Sequence, residues 1–222
     1  MSLIFYAQHA PTIGAILDAV LLVVGITAYA VREKWRFSIL TLRLAAVGVA
    51  LNQLGYAVGM TVAQHGAWMG NTLTKELVAQ PLVPHTADAF ALSWVAHALH
   101  LRVNYFFYYV YGRFWVDILI GIGCAFLFWV GLVALKKYRS RFFDKGELEV
   151  GLVSALAVGW PMMVVFVPLL LVMVVAVSAV RAIFLKESLT TLGWPMFIAA
   201  IVSLGIAALF PSLLGHFAFL TV

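Results

Sequence analysis

VGLVSALAVGWPMMVVFVPLLLVMVVAVSAV fills residues 150–180 and carries no charged side chain. About 20 apolar residues in a helix cross the hydrocarbon core of a bilayer, so this stretch alone is long enough. Helices in the core of a soluble protein do not run this far without a charge. The segment from Ser188 to Val222 repeats the pattern, with His216 as its one ionisable side chain. Across all 222 residues, 64% are hydrophobic and 10% charged, with a mean hydropathy of +1.05. Soluble domains carry about 25% charged residues. The reading is an all-α integral membrane protein in contact with a lipid bilayer, forming a single polytopic domain over 1–222. It has about five transmembrane helices plus one outer amphipathic or re-entrant helix.

Working outward, the first span reads Thr12 to Val31 and ends at Arg32, Glu33, Lys34, Trp35 and Arg36. Met1 to Pro11 has neither a basic n-region nor a following cleavage site, so this span is expected to be retained. The second reads Phe37 to Ala63. The third reads Phe114 to Leu135 and runs into Lys136, Lys137, Arg139, Arg141 and Lys145. The last begins near Pro195, which suits the first turn of a helix. Residues 150–182 are long for one crossing and contain Pro161 and Pro168, each of which deletes an intrahelical hydrogen bond. A single tilted, kinked helix is the expectation there. A re-entrant pair of half-helices, returning Arg181 and Lys186 to the side they came from, is the alternative.

Basic residues in short loops concentrate on the cytoplasmic side. That rule places loops 32–36 and 136–149 in the cytoplasm and the N-terminus outside, as in a bacterial inner-membrane protein. The net charge of +5 lies mostly in these loops, so it sets topology and does not point to nucleic acid.

Pro84 to Gly112 departs from the apolar rule. Thr86, Ser93, His97, His100, Asn104, Tyr108 and Tyr111 fall within roughly 40° of one another at 100° per residue. A full crossing here would carry the Lys136–Lys145 cluster outside. The segment therefore reads as an interfacial helix on the non-cytoplasmic side, rich in Tyr and Trp as membrane boundaries are, with its exit turn at Gly112. Asp88 and Arg102 lie on the opposite face, which suggests a protein partner covering them.

Ionisable residues inside spans are functional candidates by default, although those near helix ends snorkel. Arg43 and Asp117 read as helix-end residues of that kind. Asp18 is deeper and falls level with residue 50 of the second span, beside Asn52 and Gln53. That cluster reads as an interhelical hydrogen-bond clamp or as a proton or cation site. His97 and His100 sit one turn apart, so haem or metal binding there is a minor reading and no cofactor is assigned. Asp144, Glu147 and Glu149 read as a solvated loop, Gly55-x-x-x-Gly59 as a small-residue packing motif, and Cys124 as a small apolar residue. Common catalytic signatures are absent, with no G-x-S-x-G, H-E-x-x-H or phosphate-binding loop, which points away from an enzyme.

Three functional expectations follow. The first is a non-catalytic, multi-pass subunit of a larger membrane assembly serving transport, secretion or energy conversion, with Asp88, Ser93, His97, His100, Arg102 and Asn104 facing the partner or the interface. The second is a homo-oligomeric channel or small transporter with its polar site at Asp18, Asn52 and Gln53. The third is a haem- or metal-bearing redox subunit.

Overall fold

The computed structural model describes residues 3–80, 104–139, 143–184, 186 and 191–210. All of the described regular structure is helical: α1 (Leu3–Ala30), α2 (Ser38–Met69), α3 (Thr72–Ala79), α4 (Tyr105–Tyr138), α5 (Glu147–Val158), α6 (Met163–Phe184) and α7 (Gly193–Leu209). Within α1, α2, α4 and α6 lie four segments long and apolar enough to cross a bilayer, and α7 is a shorter apolar helix. In hydrocarbon every backbone N–H and C=O must be paired within its own segment, and helices achieve this. The protein is an all-α membrane protein.

Its exterior supports that conclusion. Ile16, Val20, Leu44, Leu51, Phe126, Leu127, Leu171 and Val175 point outward on the long helices. A soluble monomer does not expose a continuous apolar surface of this kind, whereas lipid tails cover it without cost.

The interior is organised around α5. Val150, Val153, Ser154 and Ala155 are completely buried, and the helix packs against α1, α2, α4 and α7. Small residues permit this enclosure. A Cβ on Gly151 would run into the Leu132 side chain of α4 and approach Met196 of α7. Gly146 enters the helix at φ 84° and Gly159 leaves it at φ 64°, both in the left-handed region that favours glycine.

The expected single helix over 150–182 is not formed. The chain breaks at Gly159, Trp160, Pro161 and Met162, and α6 begins at Met163. α5 rises only about 18 Å over its 12 residues. At its base, Glu147 accepts a hydrogen bond from the backbone N–H of Gly193, which fixes the start of α7 at the start of α5. Eight residues lie between Phe184 and Gly193, and the nine Cα steps span at most about 32 Å. Had α6 continued away from α5, its 22 residues would carry Phe184 to about 50 Å from Gly193. So α6 folds back toward the Glu147 end, and Phe166 packs edge-on against Phe128 of α4 at 5.6 Å. The chain reverses after Gly159 as the re-entrant alternative expects, but only α5 is a half-helix; α6, at 22 residues, is long enough to cross a bilayer by itself. The apolar composition of 150–180 conceals this, because a half-helix enclosed by protein is as apolar as a span in lipid.

At the opposite end of the bundle, Gly112 is not an exit turn. It lies in a π-helical turn, Tyr111–Trp115, within the continuous α4. The true start is Asn104, whose side chain accepts from Phe107 N–H at 2.7 Å and donates to Val78 O at 2.9 Å. Tyr105 N–H also donates to Gln80 O at 3.2 Å. The chain thus leaves at Gln80 and resumes at Asn104 at one point on one end of the bundle. Trp68 of α2 packs there against Tyr105, Phe106 and Tyr109 of α4, and Trp115 donates to Thr61 Oγ1 at 3.0 Å.

Candidate functional site

Two polar constellations stand inside the apolar bundle. The first ties its Glu147 end together. Glu147 is fully buried and its carboxylate accepts three hydrogen bonds: from the Tyr29 hydroxyl at 3.0 Å, from Gly193 N–H at 2.9 Å and from Asp144 N–H at 3.0 Å. Tyr29 is itself fully buried, edge-on to Trp194 and Phe197, with the Arg32 guanidinium 4.1 Å from its ring centroid. Arg32 pairs with Asp144 at 2.6 Å. That pair and the Lys145 N–H hold the Asp144 carboxyl below its ordinary range. Arg43 donates to Glu149 through two nitrogens, at 2.9 and 3.1 Å. The expected solvated loop is therefore a knot in which one carboxylate joins α1, α5 and α7, and the Arg43 side chain is partnered. Sequence spacing gave no sign of it, because Glu147 lies 118 positions from Tyr29 and 46 from Gly193. The knot also brings the 32–36 and 143–149 segments to the same end of the bundle.

The second constellation lies at mid-depth. Asp18 sits ten residues into the apolar segment Gln8–Ala30, about 15 Å from one end and 18 Å from the other. Asn52 of α2 donates from one nitrogen to Asp18 Oδ1 at 2.8 Å and to Gly14 O at 2.9 Å. Gln53 donates to Leu156 O at 2.8 Å, occupying a carbonyl in the last turn of α5, and is also a hydrogen-bond partner of the Asp18 carboxyl. The expected level of Asp18 with the Asn52–Gln53 pair is what the two helices produce, and Gln53 ties α5 to the cluster as well.

Around this cluster is a cavity of about 330 Å³. α1 contributes Pro11, Gly14, Ala15 and Asp18, and α2 contributes Asn52, Gln53 and Tyr56. The floor is the end of α5 and the break beyond it, Ala157 to Trp160. α4 closes the last side with Asp117, Ile118 and Gly121. Gly121 is small because Trp160 N lies 3.1 Å from where its Cβ would stand. Asp117 had the appearance of a helix-end residue only because its helix was expected to begin at Phe114. With α4 starting at Tyr105, it is about 18 Å inside.

The electrostatics of the cavity are one-sided. Two carboxyl groups line it and no lining residue is cationic. Asp117 Oδ1 is buried without a hydrogen-bond partner among the described residues. Arg113, one turn away, lies over the Tyr109 ring at 6.0 Å from its centroid. The C-terminal end of α5 adds the partial negative charge of its carbonyls. Such a lining is chemically able to accept a proton or to pair with a cation.

Other expected residues fall elsewhere. Asn104 caps α4 and ties it to α3. Asp88, Ser93, His97, His100 and Arg102 lie outside the described residues. A Cβ on Gly55 would meet nothing within 4 Å, so no helix of the described chain approaches closely at Gly55. Cys124 is a free, half-buried thiol against the apolar core. No protein-family model, curated protein or solved structure matches this chain.

Proposed function

We propose that this protein is a small membrane transporter that carries a proton or a small cation through the mid-depth site formed by Asp18, Asn52 and Asp117. The observation that carries the reading is that two carboxyl groups from different helices line one cavity at the tip of a half-helix. Ionisable residues at such depth mark ion and substrate paths. Broken helices whose C-terminal ends face the midplane are a recurrent way of coordinating cations in transporters. The Asp18–Asn52 bond also clamps α1 to α2, but a clamp needs no cavity and gives no role to Asp117. The first expectation, a partner-bound subunit, rests on the missing catalytic signatures, the small soluble mass and the polar and charged faces of the 84–112 segment, of which Asp88 and Arg102 lie outside the described residues.

In this reading the positive-inside rule sets the orientation. The Glu147 end, with Arg32, Lys34, Arg36, Lys136 and Lys137, faces the cytoplasm of a bacterial inner membrane. The Asn104 end faces out.

The test is flux in liposomes holding an inside-negative potential, read by a potential-sensitive dye. The cation panel comprises protons, alkali ions and alkylammonium ions. Wild-type protein dissipates the potential with at least one of them. Asp18→Asn retains an oxygen able to accept from Asn52, so the clamp survives while the charge is lost, and flux falls at least tenfold. Absence of flux with every cation, or equal flux in wild type and Asp18→Asn, refutes the proposal.

A further inference from the structure

The cavity is far larger than its charge requires. A proton relay needs a chain of groups at hydrogen-bond distance, and an alkali ion needs a shell of oxygens a few ångströms across. A volume of 330 Å³ is roughly ten times the share of one water in the liquid. It falls at the lower end of the range of pockets that enclose organic ligands, which are mostly apolar with a few placed polar groups.

The lining matches that pattern. Apart from Asp18, Asn52, Gln53 and Asp117, it consists of small apolar residues and two aromatic ones, Tyr56 from α2 and Trp160 from the break after α5. Aromatic faces attract cations through their ring quadrupole, with tryptophan the strongest. An inorganic ion gains little from apolar walls and holds its water tightly. A protonated amine or quaternary ammonium with a short hydrocarbon body uses all three components: carboxylates for its charge, rings for its cationic face and apolar walls for its carbon atoms.

We infer that the cavity takes a small organic ammonium ion, with Asp18 and Asp117 as its anionic partners and Tyr56 and Trp160 as aromatic walls. This rests on the transport reading above and narrows it to a substrate class. Asp117 lines the opposite wall and brings the second carboxyl; its Oδ1 is buried against protein and has no partner among the described residues, so its charge is not taken up by a neighbouring donor. Asp18 Oδ1 is already engaged by Asn52, which holds that carboxyl in a fixed orientation.

The experiment is titration of purified protein in mild detergent with butylammonium and tetramethylammonium chloride, with sodium and potassium chloride as controls, followed by calorimetry and by the apparent Tm. Wild type is expected to bind at least one ammonium ion and to gain thermal stability, and the alkali ions have no such effect. Asp117→Asn, whose oxygen supports no described hydrogen bond, weakens binding at least tenfold without lowering the Tm of the free protein. Ala15→Phe, at an exposed position on the cavity wall, fills the space without touching a hydrogen bond and abolishes binding. Binding that survives both substitutions overturns the assignment. In the liposome panel, flux of protons or alkali ions alone overturns the organic-cation assignment and leaves the transport reading standing. Absence of flux with every cation overturns both.

Discussion

Replacing Glu147 with alanine removes the one acceptor shared by three helices. Asp144 N–H sits at the edge of the bundle and regains water. Gly193 N–H is buried and is left unsatisfied at about 1–3 kcal/mol, while the Tyr29 hydroxyl keeps Thr191 as a partner and loses one bond at about 0.5–1.5 kcal/mol. The carboxylate also faces the N-terminal end of its own helix, a placement that contributes about 0.3–1 kcal/mol. The expected loss is therefore about 2–6 kcal/mol. For a chain of this size that lowers the apparent Tm by roughly 4–24 °C. Glu147→Gln separates geometry from charge. Its oxygen still serves Tyr29 and Gly193, but its NH₂ meets Asp144 N–H donor to donor, for a cost of about 1–2 kcal/mol. Tyr29→Phe removes the bonds to Glu147 and Thr191 and costs about 1–3 kcal/mol. The assay is fluorescence-detected size exclusion after heating in mild detergent, at one heating rate because membrane-protein unfolding is irreversible. If Glu147→Ala stays within 2 °C of wild type, or Glu147→Gln is as damaged as the alanine, the shared-acceptor account is wrong.

Three more expectations are open to the same samples. Gly193→Ala drives its Cβ into the Tyr29 hydroxyl and lowers the apparent Tm by several degrees, whereas Gly55→Ala meets open space and leaves it unchanged or raises it slightly; equal responses at the two sites contradict the packing described. The Asp144 carboxyl titrates below its ordinary value of 3.8 in the folded protein, so the stability it contributes is complete above that value and is lost as pH falls through the lower, folded one. The apparent Tm should fall on acidification below pH 4, and Asp144→Asn should flatten that fall; because the carboxyl is 40% exposed the effect is under about 1 kcal/mol. In a Cys124→Ser background, Lys34→Cys and Lys137→Cys should react with an impermeant thiol reagent only from the cytoplasmic side and Leu73→Cys only from outside; the reverse pattern inverts the orientation proposed.

What the sequence makes legible follows from how local each signal is. The first two spans emerge close to the expected residues where the charged turn at 32–36 bounds them, whereas α1 begins nine residues earlier and α2 ends six residues later than expected, where no charge marks the end. The Asp18–Asn52 contact is equally legible, because two helices joined by a short turn are antiparallel and residues equidistant from the turn meet. Pro195 marks the start of α7 for a similarly local reason. The α5–α6 hairpin is less legible, since its composition is that of a long span and only Gly159 and the two prolines hint at the break. Asp117 was placed wrongly because the aromatic run Tyr105–Tyr111 resembles an interfacial segment, while in the fold it is the first part of α4. The Glu147 knot has no local signature at all. A buried carboxylate is identified by its donors, and these come from α1, from α7 and from its own loop.

The donors of Glu147 also impose an order on synthesis. Tyr29 and Asp144 are already made when Glu147 leaves the ribosome, but Gly193 follows 46 residues later. At about 5–20 residues per second that is an interval of roughly 2–9 s. Throughout it, the carboxylate at the base of the re-entrant hairpin lacks one of its three donors. The hairpin therefore cannot reach its final packing when it is first released. It has to wait at the insertion machinery, or at the water-facing surface of the nascent bundle, until α7 arrives. The last described helix is thus the one that locks the half-helix beneath the cavity, and a chain truncated before residue 193 should insert but not close.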